Sequence, residues 1–245
     1  NVDKLFLEDD IKIADSKKKE KSRKNRTDEK LVFISEVIIR GLENHPDEGR
    51  LRTEAYDAMS IKPGARVSRE ELKRDLNALY ATGWFSGLSI EPEDTSLGVR
   101  LLVRVQPNPV FRGVEIVPQN ILLTDKNIQD IFSSDFGKTL NLNSLNLRIK
   151  KLKAWYSDRG YSLARVSGPN RITPSGIVQL NVQEGTISDI EFVFINDEGN
   201  STRDNGKPVK GKTRDWVILR QLLSKPGARF NRKILEQDIK RLYGL

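Results

Sequence analysis

The sequence repeats one pattern, a helix that ends at a glycine turn and continues into an aromatic strand start, at a fixed spacing. Residues 80–85 (YATGWF) close a helical pattern and turn at Gly83, and residues 156–161 (YSDRGY) do the same around Gly160, 77 positions later. A third copy begins at Leu242. Repetition of such a joint indicates that one small module is used several times along the chain.

The first repeat, residues 31–106, predicts the order β-α-α-β-β. Its start, residues 31–39, is rich in β-branched side chains and indicates a strand. Two helical patterns follow, and the second opens with a capping box formed by Ser68 and Glu71. In residues 99–105 (VRLLVRV) every second side chain is apolar, which predicts the last strand. A short strand and a turn before it complete a hairpin.

Two further modules follow the first. Residues 107–184 predict the same order of elements, with a closing hairpin whose first strand covers residues 162–166. Residues 185–245 predict a third module, in which residues 187–192 indicate the first strand and a polar loop is inserted at residues 197–213. No residues for its closing hairpin are present, so we expect this module to be cut within a longer protein.

The predicted fold class is therefore α+β. We expect tandem β-α-α-β-β modules, each a three-stranded mixed sheet with two helices on one face. Residues 1–30 are polar after their first apolar residues and are predicted to form an extended lead-in. Modules of this size bury only about 60% of the surface of the unfolded chain, so packing against neighbours would help to stabilise them.

Composition excludes several function classes. The chain has no cysteine and one histidine, His45, so disulfide frameworks, thiol nucleophiles and sites built from several imidazoles are excluded. We find no set of carboxylates that predicts catalysis, and we expect no metal and no cofactor.

The distribution of charge does not indicate nucleic-acid binding. The net charge is +8, but the one true basic run is residues 17–24 (KKKEKSRK), and such a run is typical of a solvated linker. No nucleic acid partner is therefore expected. The helical patterns around Arg148 and Arg241 are basic, and basic helices are attracted to an anionic membrane surface, so a membrane surface is a further expected partner.

One motif match points to phosphate binding. Residues 206–213 (GKPVKGKT) fit the pattern G-x-x-x-x-G-K-[ST], and a helical pattern follows them. A phosphate-binding loop leaves its strand directly, whereas polar residues intervene here after Ile195. Too few residues remain after Thr213 for the further strands and the acidic magnesium ligand of such a site. We therefore expect a Gly/Lys-rich loop rather than a nucleotide site.

The predicted sheets offer a different kind of site. A three-stranded sheet with helices on one face has exposed edges, where backbone donors and acceptors lack partners. Such an edge can accept an extended peptide as an additional strand, with main-chain hydrogen bonds providing affinity. This is a physical basis for binding unfolded β-strand substrates.

The repeated joints resemble those of a known family, the POTRA modules of outer-membrane β-barrel assembly factors of the BamA type. The resemblance covers residues 31–245 and is most specific at the two aromatic joints and at the motif KPGAR, which residues 62–66 and residues 225–229 share. Three modules, a lead-in and a long loop in the third module are most similar to the cyanobacterial and chloroplast outer-envelope branch.

The resemblance implies a periplasmic arm at the outer membrane, followed by a C-terminal membrane barrel. Such an arm receives unfolded outer-membrane proteins and passes them to the barrel for insertion, and the second strand of each module would be the edge that contacts them. The residues assigned to these edges are Leu88, Ser89, Ile90, Ser162, Leu163, Ala164, Arg165 and Val166. The residues assigned to a barrel-facing loop are Asn200, Lys207, Lys210 and Lys212, and deleting the loop is expected to alter barrel conductance or assembly.

Alternatives remain open at this point. Gly83, Trp84 and Phe85, with Gly160 and Tyr161, could form an aromatic binding motif, but their recurrence favours a structural joint that starts each edge strand. A polypeptide-transport arm of a translocon or of a two-partner secretion channel is a second function. A docking scaffold of the division type, with no substrate handling, is a third, of another class. A titration with a C-terminal strand peptide of an outer-membrane protein would test the assignment of the edge strands to substrate binding.

Overall fold

The computed structural model describes residues 31–119, 121–196, 198–202, 206–211 and 213–243. The predicted lead-in at residues 1–30 lies outside these ranges. The first module contains β1 (Val32–Arg40), α1 (Glu48–Ala58), β2 (Arg66–Val67), α2 (Arg69–Ala81), β3 (Phe85–Thr95) and β4 (Gly98–Pro107). The second contains β5 (Gly113–Val117), α3 (Asp125–Phe132), α4 (Leu142–Asp158), β6 (Arg165–Ile172) and β7 (Ile177–Gln183). The helices α5 (Asp215–Gln221) and α6 (Arg232–Leu242) follow.

The first module has a four-stranded sheet in the order β2-β1-β4-β3. β1 runs parallel to β4, and β3 is antiparallel to β4, so the sheet is mixed as predicted. The fourth strand, β2, was not predicted. It forms because the turn at Gly64 donates its N–H to the carbonyl of Ile34, which lays the next residues beside β1. The hairpin is also longer than predicted, since β3 and β4 meet at the two-residue turn of Ser96 and Leu97.

Helix α2 shows how local sequence and packing agree. The hydroxyl of Ser68 accepts the N–H of Glu71, and the carboxylate of Glu71 accepts the backbone N–H of Ser68, which confirms the predicted capping box. Leu79 is fully buried against the sheet residue Val103, in a core that also includes Leu51. These apolar contacts provide the main free energy that holds the helices on one face of the sheet.

The second module is a three-stranded mixed sheet in the order β5-β7-β6, and the predicted α+β class is confirmed. Its closing hairpin starts later than predicted. Ser162 and Leu163 form a turn and Ala164 precedes the strand, because the N–H of Ser162 bonds the carbonyl of Gly160 and that of Ala164 bonds the carbonyl of Tyr161. Backbone groups that close a turn in this way are not free to form a strand.

The third module keeps its helices but not its predicted first strand. Within the described residues, 187–192 form neither a strand nor a helix. Ile187 exchanges hydrogen bonds with Ala228 and Gly227, as Ile34 does with Ala65 and Gly64 in the first module. The parallel partner of the first strand in that module is β4, and no stretch of the described third module corresponds to it. A lone strand leaves its main-chain groups without partners, so no ladder forms.

None of the helices in the described ranges is long and apolar enough to span a membrane.

Candidate functional site

Leu88, Ser89 and Ile90 lie on β3, which is an edge of the first sheet, as the sequence predicted. They pair with Val105, Arg104 and Val103 of β4 in regular antiparallel register. Their other side has no neighbouring strand among the described residues. The strand therefore offers one of its two hydrogen-bonding sides to a ligand.

The turn geometry identifies which backbone groups face outward. Because a two-residue turn closes the hairpin, Thr95 and Gly98 form its last hydrogen-bonded pair, and every second residue back along β3 bonds to β4. The intervening residues, Leu88, Ile90 and Pro92, direct their backbone away from the sheet. Pro92 has no N–H, which is tolerated at an outward position of an edge strand.

The usable edge is short. The hydroxyl of Tyr80 donates a long hydrogen bond of 3.5 Å to the carbonyl of Leu88, which partly covers that acceptor. Beyond Pro92, the exposed acidic residues Glu93 and Asp94 discourage pairing with another strand. The groups that remain are the N–H of Leu88 and both backbone groups of Ile90.

The edge of the second sheet, β6, is less regular. Arg165 and Val166 pair with Gln183 and Val182 of β7, but the register breaks between Ser167 and Arg171. The extra residues in this bulge include Pro169, which has no N–H to donate. Such a bulge is a common way of blunting an edge. Ser162, Leu163 and Ala164, which were also predicted to form this edge, lie in the preceding turn.

The predicted glycine joint is the contact between the first two modules. Gly83 has a φ of 76°, and its carbonyl accepts the N–H of Leu142 at 2.9 Å, at the start of α4. Asn141 caps α4 by accepting from Asn143 and Ser144, and its side-chain amide donates to the carbonyl of Thr82 at 2.8 Å. One asparagine thus caps the helix of one module and satisfies the helix end of the module before it.

The joint at Gly160 repeats the same device. Its φ is 91°, and its carbonyl accepts the N–H of Arg232 at 2.8 Å. Asn231 caps α6 and donates to the carbonyl of Arg159 at 2.9 Å. A Cβ on Gly160 would lie 2.4 Å from Oδ1 of Asn231, so the close approach requires glycine. The sequence pattern located both glycines but missed the two asparagines.

The aromatic residues after each glycine lie in packing positions. Phe85 is buried in the first core, and Trp84 packs against the same core with the guanidinium of Arg50 4.3 Å from its ring. Tyr161 is half-buried and packs edge-on against Tyr156 in the second module. These contacts favour a structural role for the joints over an aromatic binding motif.

Further polar contacts fix the first junction. Asn108 is buried, and its side-chain amide donates to the carbonyls of Gly83 and Leu140, both at 3.0 Å. Across the same junction, the hydroxyl of Thr139 donates to the carboxylate of Asp47. This hydrogen bond, and the one from Arg50, hold the pKa of Asp47 below its usual range. Two modules joined by so many directed bonds have a defined relative orientation.

At the second junction the central group is the carboxylate of Glu184. It accepts hydrogen bonds from the hydroxyl of Tyr156 at 2.8 Å and from the N–H of Leu122 at 2.6 Å. Its other oxygen forms an ion pair with Arg229 of the third module. Burial, and then the neighbouring Glu184 carboxylate, raise the pKa of Tyr156. The carboxylate thus couples the core of the second module to the KPGAR turn of the third.

The described residues of the inserted loop are held by local hydrogen bonds and one β-bridge. The side chain of Asn196 accepts the N–H groups of Glu198 and Asn200, at 3.1 and 2.8 Å, and Thr202 forms a β-bridge with Pro208. Asn200, Lys207 and Lys210 lie on this loop, and Lys212 lies outside the described residues. The contact of these residues with a barrel stays a prediction.

The described residues place the phosphate-loop motif in a different context from a nucleotide site. No strand runs into it among residues 186–196, and helix α5 begins only at Asp215. Within the described ranges, no group of three or more histidine, aspartate or glutamate side chains is arranged to hold a metal ion.

Comparison with known proteins first defines the class. Residues 32–108 match the POTRA family described as a surface antigen variable number repeat, and residues 111–185 match the POTRA domain of the ShlB type. Residues 32–108 and 111–185 are thus two POTRA domains in series.

Solved structures and sequence relatives then define the family. The chain is 37% identical to the N-terminal domain of Omp85 from Thermosynechococcus elongatus, with a TM-score of 0.77 over 89% of this chain and 87% of that one. It is 38% identical to POTRA1-3 of the periplasmic domain of Omp85 from Anabaena, with a TM-score of 0.71 over 88% and 86%. The chain belongs to the Omp85 family, which confirms the predicted resemblance.

The chloroplast relatives support the same branch. Outer envelope protein 80 of Oryza sativa subsp. japonica is 32% identical over 214 residues, which are 86% of this chain and 31% of that protein. Its counterpart in Arabidopsis thaliana is 33% identical over 205 residues, 83% of this chain and 27% of that protein. The chain therefore spans about a third of the length of these curated relatives.

Proposed function

We propose that this chain is the receiving arm of an outer-membrane β-barrel assembly factor, positioned on the periplasmic face of the outer membrane or its plastid equivalent. It binds unfolded outer-membrane proteins and delivers them to a membrane barrel of the same protein. Membership of the Omp85 family and the names of the relatives, an outer envelope protein and a periplasmic domain, support this function.

The observation that carries the proposal is the outward backbone of β3 at Leu88 and Ile90. An extended substrate segment pairs there as a fifth strand and gains two or three main-chain hydrogen bonds. Each contributes about 1 kcal/mol net, so binding at this edge is weak and reversible. Reversibility suits an arm that must release its substrate. On the second sheet only Arg165 and Val166 retain a comparable position, before the bulge.

The inserted loop has a separate role in this proposal. Asn200, Lys207 and Lys210 lie on the polar surface that we assign to the barrel side, and the basic helices are kept as a contact to the membrane surface. These contacts position the arm relative to the barrel and do not require the edge of β3.

Two substitutions at Ile90 test the edge. Ile90→Pro and Ile90→Ala both remove much of the side chain, but only proline removes the outward N–H. We expect the proline variant to bind an extended strand peptide of an outer-membrane protein about tenfold more weakly than the alanine variant, because one or more edge hydrogen bonds are lost.

Amide-resolved NMR titration measures both the affinity and the location of binding. Far-UV circular dichroism verifies that each variant is folded. Equal affinities for the two variants, or shifts that leave residues 88–90 untouched, would rule out pairing at this edge.

A further inference from the structure

Helix α5 of the third module carries large apolar side chains on an exposed surface. Trp216 is 55% exposed, and Leu219, three positions further along the helix, is exposed beside it. Leu223, which follows the end of the helix, is exposed as well. We call these three residues the α5 patch. Exposed tryptophan and leucine side chains that lie close together indicate a contact surface.

Matching hydrogen bonds align α5 with α1 of the first module. Lys225 donates to the carbonyl of Leu219, and Lys62, 163 positions earlier, donates to the carbonyl of Tyr56. Leu219 therefore occupies the position of Tyr56, and the same offset relates the other patch residues to the first module. Helix α3 of the second module begins 77 positions after α1 and aligns with both.

In the first two modules the positions of the patch face solvent. Their residues are Thr53, Tyr56 and Ser60 in the first module and Asp130, Ser133 and Gly137 in the second, and all six are exposed. Both of these modules have their closing hairpins, so a covering strand does not bury these positions. Leu235 and Ile239 of α6 differ, because their counterparts Leu72 and Leu76 are partly buried in the first module. The α5 patch is therefore an outer surface and not an uncovered core.

Basic side chains surround the patch. Arg220 lies over the ring of Trp216, with 5.2 Å between its guanidinium carbon and the ring centroid. Lys225 bonds one carbonyl of α5, and Arg241 of α6 bonds another. Among the described residues none of these three cations forms an ion pair, and the helix itself contains one carboxylate, Asp215. A partner that suits this surface therefore combines apolar side chains with negative charge.

The acidic segment of this chain, residues 1–16, has that composition. It contains five carboxylates against two lysines. Its large apolar side chains are Leu5, Phe6, Leu7, Ile11 and Ile13. Residues 17–30, which connect it to the first module, can span up to about 50 Å when fully extended, which is more than the diameter of a small domain. The connection is therefore long enough for the acidic segment to reach beyond the module to which it is joined.

We propose that the acidic segment docks on the α5 patch. Its apolar side chains pack on Trp216 and Leu219, and its carboxylates pair with the three surrounding cations. Ion pairs beside a covered apolar surface are less accessible to water than isolated surface pairs, so they add to the contact. The contact lies on the third module and does not use the edge of β3, so it goes beyond the proposed binding of substrate strands.

A spin label at the end of the acidic segment tests the contact. The chain has no cysteine, so Ser16→Cys provides a single attachment point that leaves the apolar and acidic side chains in place. We expect the nitroxide to broaden the amide NMR signals of residues 217–223 more strongly than those of residues 126–132 on α3. Reduction of the nitroxide provides the reference spectrum. Broadening of α5 that does not exceed that of α3 would overturn the proposal.

A matched pair of substitutions tests the role of the patch. Trp216→Thr introduces the side chain that Thr53 has at the same position of the first module, so the helix is expected to remain folded. It should lower the paramagnetic broadening of α5 about tenfold, because the apolar contact with the ring is lost. Leu147→Thr, which replaces an exposed leucine on α4, should retain the broadening. Unchanged broadening in Trp216→Thr would contradict docking on the patch.

Two further measurements test the charges and the alternatives. Asp9→Asn combined with Asp10→Asn should weaken the broadening of α5, whereas Ile90→Pro should leave it unchanged, so failure of edge pairing is distinguishable from failure of this contact. Strong broadening at residues 88–90 in place of α5 would mean that the segment pairs with the sheet edge. Binding of the chain to phosphatidylglycerol vesicles that requires Trp216, with no broadening of α5 in their absence, would assign the patch to a membrane surface. Either result would overturn the proposal.

Discussion

At the scale of single residues, the chain depends on buried carboxylates that accept backbone hydrogen bonds. Asp75 is 2% exposed and accepts the N–H groups of Ser60 and Ile61, at 2.9 and 2.8 Å. Asp238, 163 positions later, accepts the N–H groups at the equivalent place in the third module. Each carboxylate accepts the backbone N–H groups of the segment that connects two helices, and among the described residues these N–H groups have no backbone acceptor. Apolar periodicity does not detect such residues, although the repeat offset relates them.

Replacing Asp75 by asparagine is expected to destabilise the first module. The carboxylate of Asp75 accepts two backbone N–H groups, one on each oxygen. In asparagine an NH₂ group replaces one of these oxygens and cannot accept, and the hydrogen bond to the other oxygen is weaker because the side chain has no charge. We expect the free energy of unfolding to fall by about 2 to 3 kcal/mol, the range for hydrogen bonds to a charged group. Urea denaturation measures the change. Asp57→Asn, on the exposed face of α1, is the control and is expected to change stability by less than about 0.5 kcal/mol.

At the scale of elements, the sequence predicted what local chemistry determines. The capping box at Ser68 is confirmed because its signal lies within a few residues, and the structure places a strand at Leu88 and left-handed glycines at Gly83 and Gly160. Elements that depend on distant partners were missed or misplaced. β2 exists only beside β1, and residues 187–192 form no strand because no parallel partner strand lies beside them among the described residues. The position of β3 at the sheet edge was predicted from the sequence. Which of its backbone N–H and carbonyl groups face outward could not be predicted, because that depends on the geometry of the hairpin turn.

The glycine joints allow a matched comparison. Gly160 and Gly64 both have a φ of 91°, but a Cβ has open space at Gly64 and lies 2.4 Å from Asn231 at Gly160. Gly64→Ala is expected to cost about 1 to 2 kcal/mol from the left-handed backbone alone. Gly160→Ala is expected to cost a further ~1 to 3 kcal/mol from the steric clash.

Urea unfolding measures the two losses, and amide exchange at Arg232 reports on the junction. Exchange should accelerate in Gly160→Ala and remain unchanged in Gly64→Ala. Equal losses of stability in the two variants would mean that the junction yields to the extra methyl group.

At the scale of the whole molecule, one repeated contact joins the first module to the second and the second module to helix α6. The asparagine that caps the second helix of a module bonds the helix end of the module before it, at Asn141 and again at Asn231. The first junction adds the bond between Asp47 and Thr139, and the second adds the ion pair of Glu184 with Arg229. These contacts hold the edge of β3 in a fixed relation to the second module and to helices α5 and α6.

Protonation of Asp47 is expected to loosen the first junction. The hydroxyl of Thr139, and then Arg50, lower the pKa of Asp47 in the folded chain, so its contribution to stability is complete above the usual pKa of an aspartate. The contribution is lost as the pH falls through the lowered folded pKa, because the protonated carboxyl no longer accepts the same bonds. Asp47→Asn is expected to produce the same loosening at neutral pH.

Distances between spin labels measure this loosening directly. The chain has no cysteine, so Asp57→Cys and Lys150→Cys place one label on each side of the junction. We expect the distance distribution to broaden in Asp47→Asn at pH 7, and in the parent once the pH falls through the lowered pKa of Asp47. Asp135→Asn, which removes an ion pair with Arg148 inside the second module, should leave the distribution at pH 7 narrow. A narrow distribution in Asp47→Asn would mean that Asn108 and Asn141 hold the junction without this carboxylate.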